Sequence, residues 1–185
     1  MEAIKKTKRL SLSTQIVATV VAVLAAAVLP QTLHLIGRLT GTGVALGTAL
    51  LPMHLPVLFV GLAAGPIVGA VAGVCSPLVG FALSGMPVAT ELPFMAVELC
   101  AYGFAAGIGK NSSVPVILKV ACAQLFGRAA YTVSVLLLGA TLGKTGADIF
   151  TIMESFRLGA VGILLQLALL PAVYNKALSQ PLVDF

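Results

Sequence analysis

Six apolar runs follow one another along the chain, separated by short breaks rich in glycine, proline, asparagine and serine. They cover residues 10–33, 44–63, 67–83, 92–108, 114–142 and 156–174. A helix that crosses a bilayer needs about 20 apolar residues, and fewer where it is broken or short. The pattern therefore predicts an all-α integral membrane protein, a bundle of six transmembrane helices whose second helix is short and interrupted by proline.

The interruption falls in LPMHLPVLFVG, residues 51–61, where two prolines stand on either side of a histidine. Pro52 and Pro56 remove backbone donors, and irregular backbone at membrane depth is tolerated only where protein or a water-filled cavity covers it. We expect an outer loop to fold into the bundle here and continue as a short helix. Met53 and His54 would then lie at the lip of a cavity, where His54 is either a ligand-binding group or a polar residue with partners of its own.

Composition makes lipid the solvent for most of the chain. Of the 185 residues, 59% are hydrophobic and 9% are charged, whereas soluble domains carry about 25% charged residues. The net charge of +5 comes from basic residues at one end and between the runs, which is typical of cytoplasmic loops and does not indicate nucleic-acid binding. The three cysteines, Cys75, Cys100 and Cys122, show no metal or disulfide spacing.

The distribution of lysine and arginine predicts the orientation. With the N-terminus inside, seven basic residues face the cytoplasm and three face outward, as the positive-inside rule prefers. Both termini are then cytoplasmic in a single transmembrane domain, 1–185, made of a basic segment 1–9, a bundle 10–177 and a tail 178–185. A cleaved signal peptide is the alternative for the N-terminus, but the first apolar run is long enough to span.

Motifs of enzymes are missing from the sequence. There is no P-loop, no HExxH and no nucleophile elbow, so we expect no enzymatic activity, no cofactor and no bound metal. Active transport by this chain would require a gradient or partner subunits as the source of energy.

Small residues four apart predict close helix packing. Ala18 and Ala22 form an AxxxA motif in the first run, while Gly69 with Gly73 and Gly103 with Gly107 form GxxxG motifs. Such pairs let two helix backbones approach. We interpret the glycines as internal packing, whereas the alanine face is a candidate for either internal packing or an external partner.

Ionisable groups inside the runs are the candidates for function, because each costs about 2.5–3.5 kcal/mol to insert. Glu98 lies in the outer half of the fourth run, Arg128 near the middle of the fifth and His54 near the outer end of the second. Glu98 and Arg128 form either a structural ion pair or the polar wall of a pocket that opens outward and holds a polar ligand.

Two tyrosines share helix faces with these charges, since Tyr102 follows Glu98 by four residues and Tyr131 follows Arg128 by three. Each offers a ring for stacking and a hydroxyl for a hydrogen bond. The amides of Gln124 and Gln166 are weaker candidates, because a buried amide often links two helices. The predicted ligand site comprises His54, Glu98, Tyr102, Arg128, Tyr131 and Gln166.

Residues 51–109 also carry a family resemblance. After the proline-bounded short helix come GPIVGAVAG (65–73), LSGMP (83–87) and ELCAYGFAAG (98–107). With these motifs, residues 10–177 resemble the substrate-binding S components of energy-coupling factor (ECF) vitamin transporters.

The resemblance implies a six-helix bundle in a prokaryotic cell membrane that captures one small water-soluble vitamin or precursor, tightly, from outside. It implies association with a transmembrane coupling subunit and two cytoplasmic ATPases, and toppling of the bundle to carry the ligand across. It places Ala18 and Ala22 on the face that docks on the coupling subunit, and loops 34–53, 84–91 and 143–155 over the ligand. No motif tells which vitamin is bound.

A stand-alone secondary carrier or channel is the rival hypothesis, with Glu98 as the proton-coupling group. Carriers of that kind usually contain inverted repeats, and residues 1–90 show no convincing similarity to residues 91–185. Transport by the isolated chain in liposomes would separate the two hypotheses.

Overall fold

The computed structural model describes residues 10–43, 45–138, 141 and 149–178, and these form helices and turns without a strand. The all-α prediction is confirmed for this part of the chain. The predicted N-terminal segment 1–9, residues 142–148 and residues 179–185 of the predicted tail lie outside the described residues. The helices are α1 (Leu12–Leu39), α2 (Ala45–Leu50), α3 (His54–Ala64), α4 (Pro66–Ser84), α5 (Leu92–Ile108), α6 (Val116–Leu138) and α7 (Ile149–Leu178).

Five of these helices are long and apolar enough to cross a membrane, namely α1, α4, α5, α6 and α7. α3 has 11 residues and is therefore about 16 Å long, roughly half the thickness of a hydrocarbon core. The second predicted span is thus divided between α2 and α3. The described residues form five long apolar helices and two short ones, α2 and α3, and a full count of six membrane spans stays a prediction.

The division between α2 and α3 includes Pro52, whereas Pro56, which was also predicted to interrupt the span, lies in the first turn of α3. Leu51 has a φ of 49°, which is uncommon for a branched side chain, and the N–H of His54 donates to the carbonyl of Leu51 over 3.1 Å. The predicted short helix is confirmed, and it begins at His54 itself. Met53 and His54 are buried, so they lie inside the bundle rather than at a lip.

Two helices extend beyond their apolar runs. α1 continues to Leu39 and α7 begins at Ile149, so the predicted loops are wrong at residues 34–39 and 149–155, which are helical. Hydropathy marks the apolar part of a helix and not its ends, because polar side chains fit a helix turn that faces water or protein. At the end of α1 the hydroxyl of Thr40 donates to the carbonyl of Ile36 over 2.9 Å.

Glycines bring three helices into backbone contact, as predicted for internal packing. A Cβ at Gly69 would overlap the carbonyl of Gly103, and a Cβ at Gly103 would overlap that of Gly69. Gly61 of α3 likewise faces Gly103, and Gly107 faces Pro66 at the start of α4. α3, α4 and α5 therefore form the tightly packed centre of the bundle, which fixes the depth of the polar residues on α3 and α5.

The alanine face of α1 also lies against the bundle. Ala22 is 6% exposed and packs with Val60 of α3 and with Val68 and Ala72 of α4, and Ala18 is half-buried beside the same cluster. Docking of a partner on these two alanines would therefore require α1 to move away from α3 and α4.

Candidate functional site

A cavity of about 550 Å³ opens among the helices at one end of the bundle. Small-molecule sites are typically about 300–1,000 Å³, so its size suits a compact organic ligand. α1, α5, α6 and α7 all contribute to the wall, together with the α2–α3 break and the segment before α5. The lining residues are Pro30, Gln31, His34, Gly47, Leu51, Pro52, Met53, His54, Met86, Pro87, Val88, Glu91, Met95, Glu98, Arg128, Tyr131, Ser155, Leu158 and Gly159.

Three buried polar side chains meet in this wall. Nη1 of Arg128 lies 3.1 Å from Oε1 of Glu98, and Nε2 of His54 lies 4.0 Å from the same oxygen. The residues are 6%, 4% and 2% exposed, respectively. The structure thus brings together, from α3, α5 and α6, the three in-span groups that the sequence singles out.

α7 holds the guanidinium of Arg128 from the other side. Nη1 donates to Oγ of Ser155 over 3.5 Å, and Cζ lies 5.3 Å from the centre of the Phe156 ring, within cation–π range. Gly159 leaves room for the guanidinium, because a Cβ there would overlap Nη2. Among the described residues, Nε and Nη2 of Arg128 have no hydrogen-bond partner.

The two predicted tyrosines take different positions. Tyr131 lines the cavity, whereas Tyr102 is 1% exposed and lies behind the wall. Its ring packs edge-on against His54, with 5.0 Å between the ring centroids. Gly127 of α6 makes this possible, since a Cβ at that position would lie 2.7 Å from the Tyr102 ring. Tyr102 therefore supports His54 from behind and does not itself line the cavity.

Gln166 also lies behind the cavity, in a chain of buried amides. Nε2 of Gln124 donates to Oε1 of Gln166 over 2.9 Å, and Nε2 of Gln166 donates to the carbonyl of Leu51 over 3.3 Å. Leu51 is the residue at which the α2–α3 break occurs, and its carbonyl accepts from both Gln166 and the N–H of His54. The two amides thus connect α6 and α7 to the break that carries Pro52, Met53 and His54 into the cavity wall.

Several lining residues were missed from the sequence. His34 falls in a segment predicted as loop, and its Nδ1 is buried with no hydrogen-bond partner among the described residues. Met86 and Met95 line the cavity beside Met53, which was predicted there, but they look like ordinary apolar positions in the sequence. Ser155 lies outside the predicted sixth run. A helical reading of 149–159 would place Ser155 and Gly159 four residues apart on one face, and this is the signal that could have found them.

Comparison with protein-family models decides the identity. The model described as the ECF transporter, substrate-specific component, matches residues 14–182, which is nearly the whole chain. The chain belongs to this family. Comparisons with curated proteins and with solved structures give no match.

Family membership confirms the resemblance and sets the class of the protein. The chain is a multi-pass membrane protein and a substrate-binding component of a transporter, with a small-molecule substrate and with coupling and ATPase components as its associates. In this S component, the segments predicted to cover the ligand do contribute to the cavity wall, through His34, Leu51, Met86 and Ser155 among others.

Replacement of Gln166 by leucine tests the amide chain. Gln166→Leu removes two hydrogen bonds of a buried amide, and each such bond contributes about 0.5–1.5 kcal/mol; the Leu51 carbonyl keeps the N–H of His54 and the Gln124 amide keeps the carbonyl of Ile163. We expect the midpoint of thermal unfolding in detergent to fall by roughly 5 °C. Gln31→Leu, which removes an exposed hydrogen bond to Ser84, is the matched control and should change the midpoint by about 1–2 °C. Equal shifts in the two variants would show that the hydrogen bonds of Gln166 contribute no more stability than an exposed hydrogen bond.

Proposed function

We propose that this S component captures one small water-soluble vitamin or vitamin precursor with high affinity in the 550 Å³ cavity. The observation that carries the proposal is the meeting of His54, Glu98 and Arg128 in the wall of a cavity of ligand size. Buried charged groups inside a membrane bundle are costly and mark functional sites by default. In this proposal His54, Glu98, Arg128 and Tyr131 contact the ligand, while Tyr102 and Gln166 position them.

The cavity opens outward in this proposal. It lies at the end of the bundle that holds the α2–α3 break, the segment before α5 and the start of α7. The start of α1, Lys110 and Lys119 lie at the other end, and lysine and arginine, which also precede α1 in the sequence, favour the cytoplasmic side. Both termini are then cytoplasmic, in the cell membrane of a prokaryote.

A transmembrane coupling subunit and two cytoplasmic ATPases supply the energy for transport in this account. Ala18 and Ala22 stay the proposed contact with the coupling subunit, and their contact with α3 and α4 means that docking there is accompanied by a displacement of α1. In this proposal, the bundle reorients and the alanine face of α1 becomes exposed in the same step.

Reconstitution into liposomes separates this function from that of a secondary carrier. Vesicles that contain the S component, the coupling subunit and the ATPases are incubated with a filtrate of rich medium, and their contents are measured by mass spectrometry. We expect a compound to accumulate only with the full complex and internal ATP. Accumulation by the isolated chain in response to a proton gradient, abolished by Glu98→Gln, would contradict the proposal and support the carrier.

A single methyl group at residue 159 tests the position of Arg128. Gly159→Ala would displace Nη2 of the guanidinium, which lies at the flexible end of a side chain and can move without unfolding the protein. We expect the affinity for the captured compound to fall about tenfold, equivalent to 1.4 kcal/mol, with a thermal midpoint within about 2 °C of the wild type. Gly109→Ala, directly after the C-terminal end of α5, adds the same methyl group outside the cavity. It should leave the affinity unaltered.

A further inference from the structure

The charges in the cavity wall restrict the kind of molecule that it can hold. The described lining residues contain one guanidinium, Arg128, and two carboxylates, Glu91 and Glu98, together with the imidazoles of His34 and His54. The guanidinium is already engaged, since Nη1 lies 3.1 Å from Oε1 of Glu98. The wall therefore holds no excess of positive charge.

An anionic ligand would disturb this balance. A carboxylate or phosphate that took Arg128 as its partner would compete with Glu98, and the Glu98 side chain is 4% exposed. Two negative charges would then share one guanidinium in a wall that is otherwise mostly apolar, and uncompensated charge in such a place is strongly unfavourable.

The hydrogen-bonding groups of the wall favour a ligand whose polar edge carries no negative charge. Nε and Nη2 of Arg128 have no partner among the described residues, and a guanidinium only donates. The carboxyl group of Glu98 supplies acceptor oxygens, and the imidazole of His54 supplies two ring nitrogens for hydrogen bonds. A ligand edge that carries both an acceptor and a donor would satisfy all three groups.

We infer that the cavity binds a small molecule without net negative charge, which presents an acceptor to Arg128 and a donor to Glu98 or His54. This inference rests on the proposed function, and it names the substrate class of the same site. Met53, Met95 and Leu158 surround the rest of the molecule, so the part that is remote from the polar edge is apolar. Phosphorylated compounds and carboxylic acids that carry a net negative charge are excluded as ligands.

Charge fractionation of a growth medium tests the inference without knowledge of the ligand. A filtrate of rich medium is separated at pH 7 by ion exchange into anionic, uncharged and cationic fractions, and each is added to the purified full chain in detergent. We expect the uncharged or the cationic fraction to raise the thermal midpoint by about 5 °C or more. Stabilisation by the anionic fraction alone would overturn the inference and leave capture of a small molecule intact. No stabilisation by any fraction or by the whole filtrate would overturn both.

Variants locate the effect at the polar wall. In the double variant Arg128→Met with Glu98→Gln, both charges are removed together, and we expect the stabilisation by the active fraction to be lost. Arg38→Met, at an exposed position outside the cavity wall, should retain it. Full stabilisation of the double variant would place the ligand elsewhere and overturn the inference.

Discussion

Arg128→Met is expected to abolish ligand capture. The substitution removes the donors at Nε and Nη2, and it breaks the contact of 3.1 Å between Nη1 and Glu98. Each hydrogen bond that a charged donor makes to the ligand contributes about 1.5–3 kcal/mol. The affinity for the compound that copurifies with the wild type should therefore fall about 100-fold or more, as measured by isothermal titration calorimetry in detergent.

Folding must be separated from binding in this variant. Arg128→Met leaves Glu98 buried without its partner, which by itself destabilises the bundle by about 3–5 kcal/mol. Addition of Glu98→Gln removes the stranded charge, so the double variant should recover most of the thermal stability and none of the affinity. Arg38→Met should match the wild type in both measurements. Wild-type affinity in the folded double variant would show that the charge pair is purely structural.

Gly69→Val is expected to disrupt the centre of the bundle. A Cβ at Gly69 would lie 2.6 Å from the carbonyl carbon of Gly103 and 2.8 Å from Cα of Gly61, so α4 would have to move away from both α3 and α5. Overpacking of a rigid interface costs about 1–3 kcal/mol and occasionally more. Because three backbones meet at this position, we expect about 3 kcal/mol, seen as a fall of roughly 10 °C in the thermal midpoint.

A second substitution on α4 controls for the added bulk. Ala82→Val also enlarges an apolar side chain, but Ala82 is exposed on the surface of the bundle. Its midpoint should stay within about 2 °C of the wild type. If Gly69→Val were as stable as Ala82→Val, the close approach of α4 and α5 would not be a determinant of the fold.

Long apolar runs made the main helices predictable, because a bilayer requires a fixed length of apolar chain. The positions of Glu98 and Arg128 were also predictable, since ionisable groups in such runs are few and antiparallel neighbours bring them to similar depths. The prolines near His54 predicted a segment that folds into the bundle. They did not predict which residue His54 would contact there.

Other parts of the site depend on tertiary contacts that no local pattern encodes. The role of Gln166 follows from its hydrogen bond to the carbonyl of Leu51, which is 115 residues away in the sequence. Ser155 and His34 lie on helix turns beyond the apolar runs, where hydropathy gives no signal. The burial of Ala22 depends on which face of α1 packs against α4, and small residues four apart favour an internal and an external partner equally.

The most direct test of capture by this S component is mass spectrometry of the small molecules released when the gently purified protein is denatured. The account predicts one compound, near one mole per mole of wild-type protein, and its loss from the double variant Arg128→Met with Glu98→Gln. A wild-type protein that releases nothing after rapid purification from cells in rich medium, or equal release from both proteins, would contradict capture at the wall formed by His54, Glu98 and Arg128.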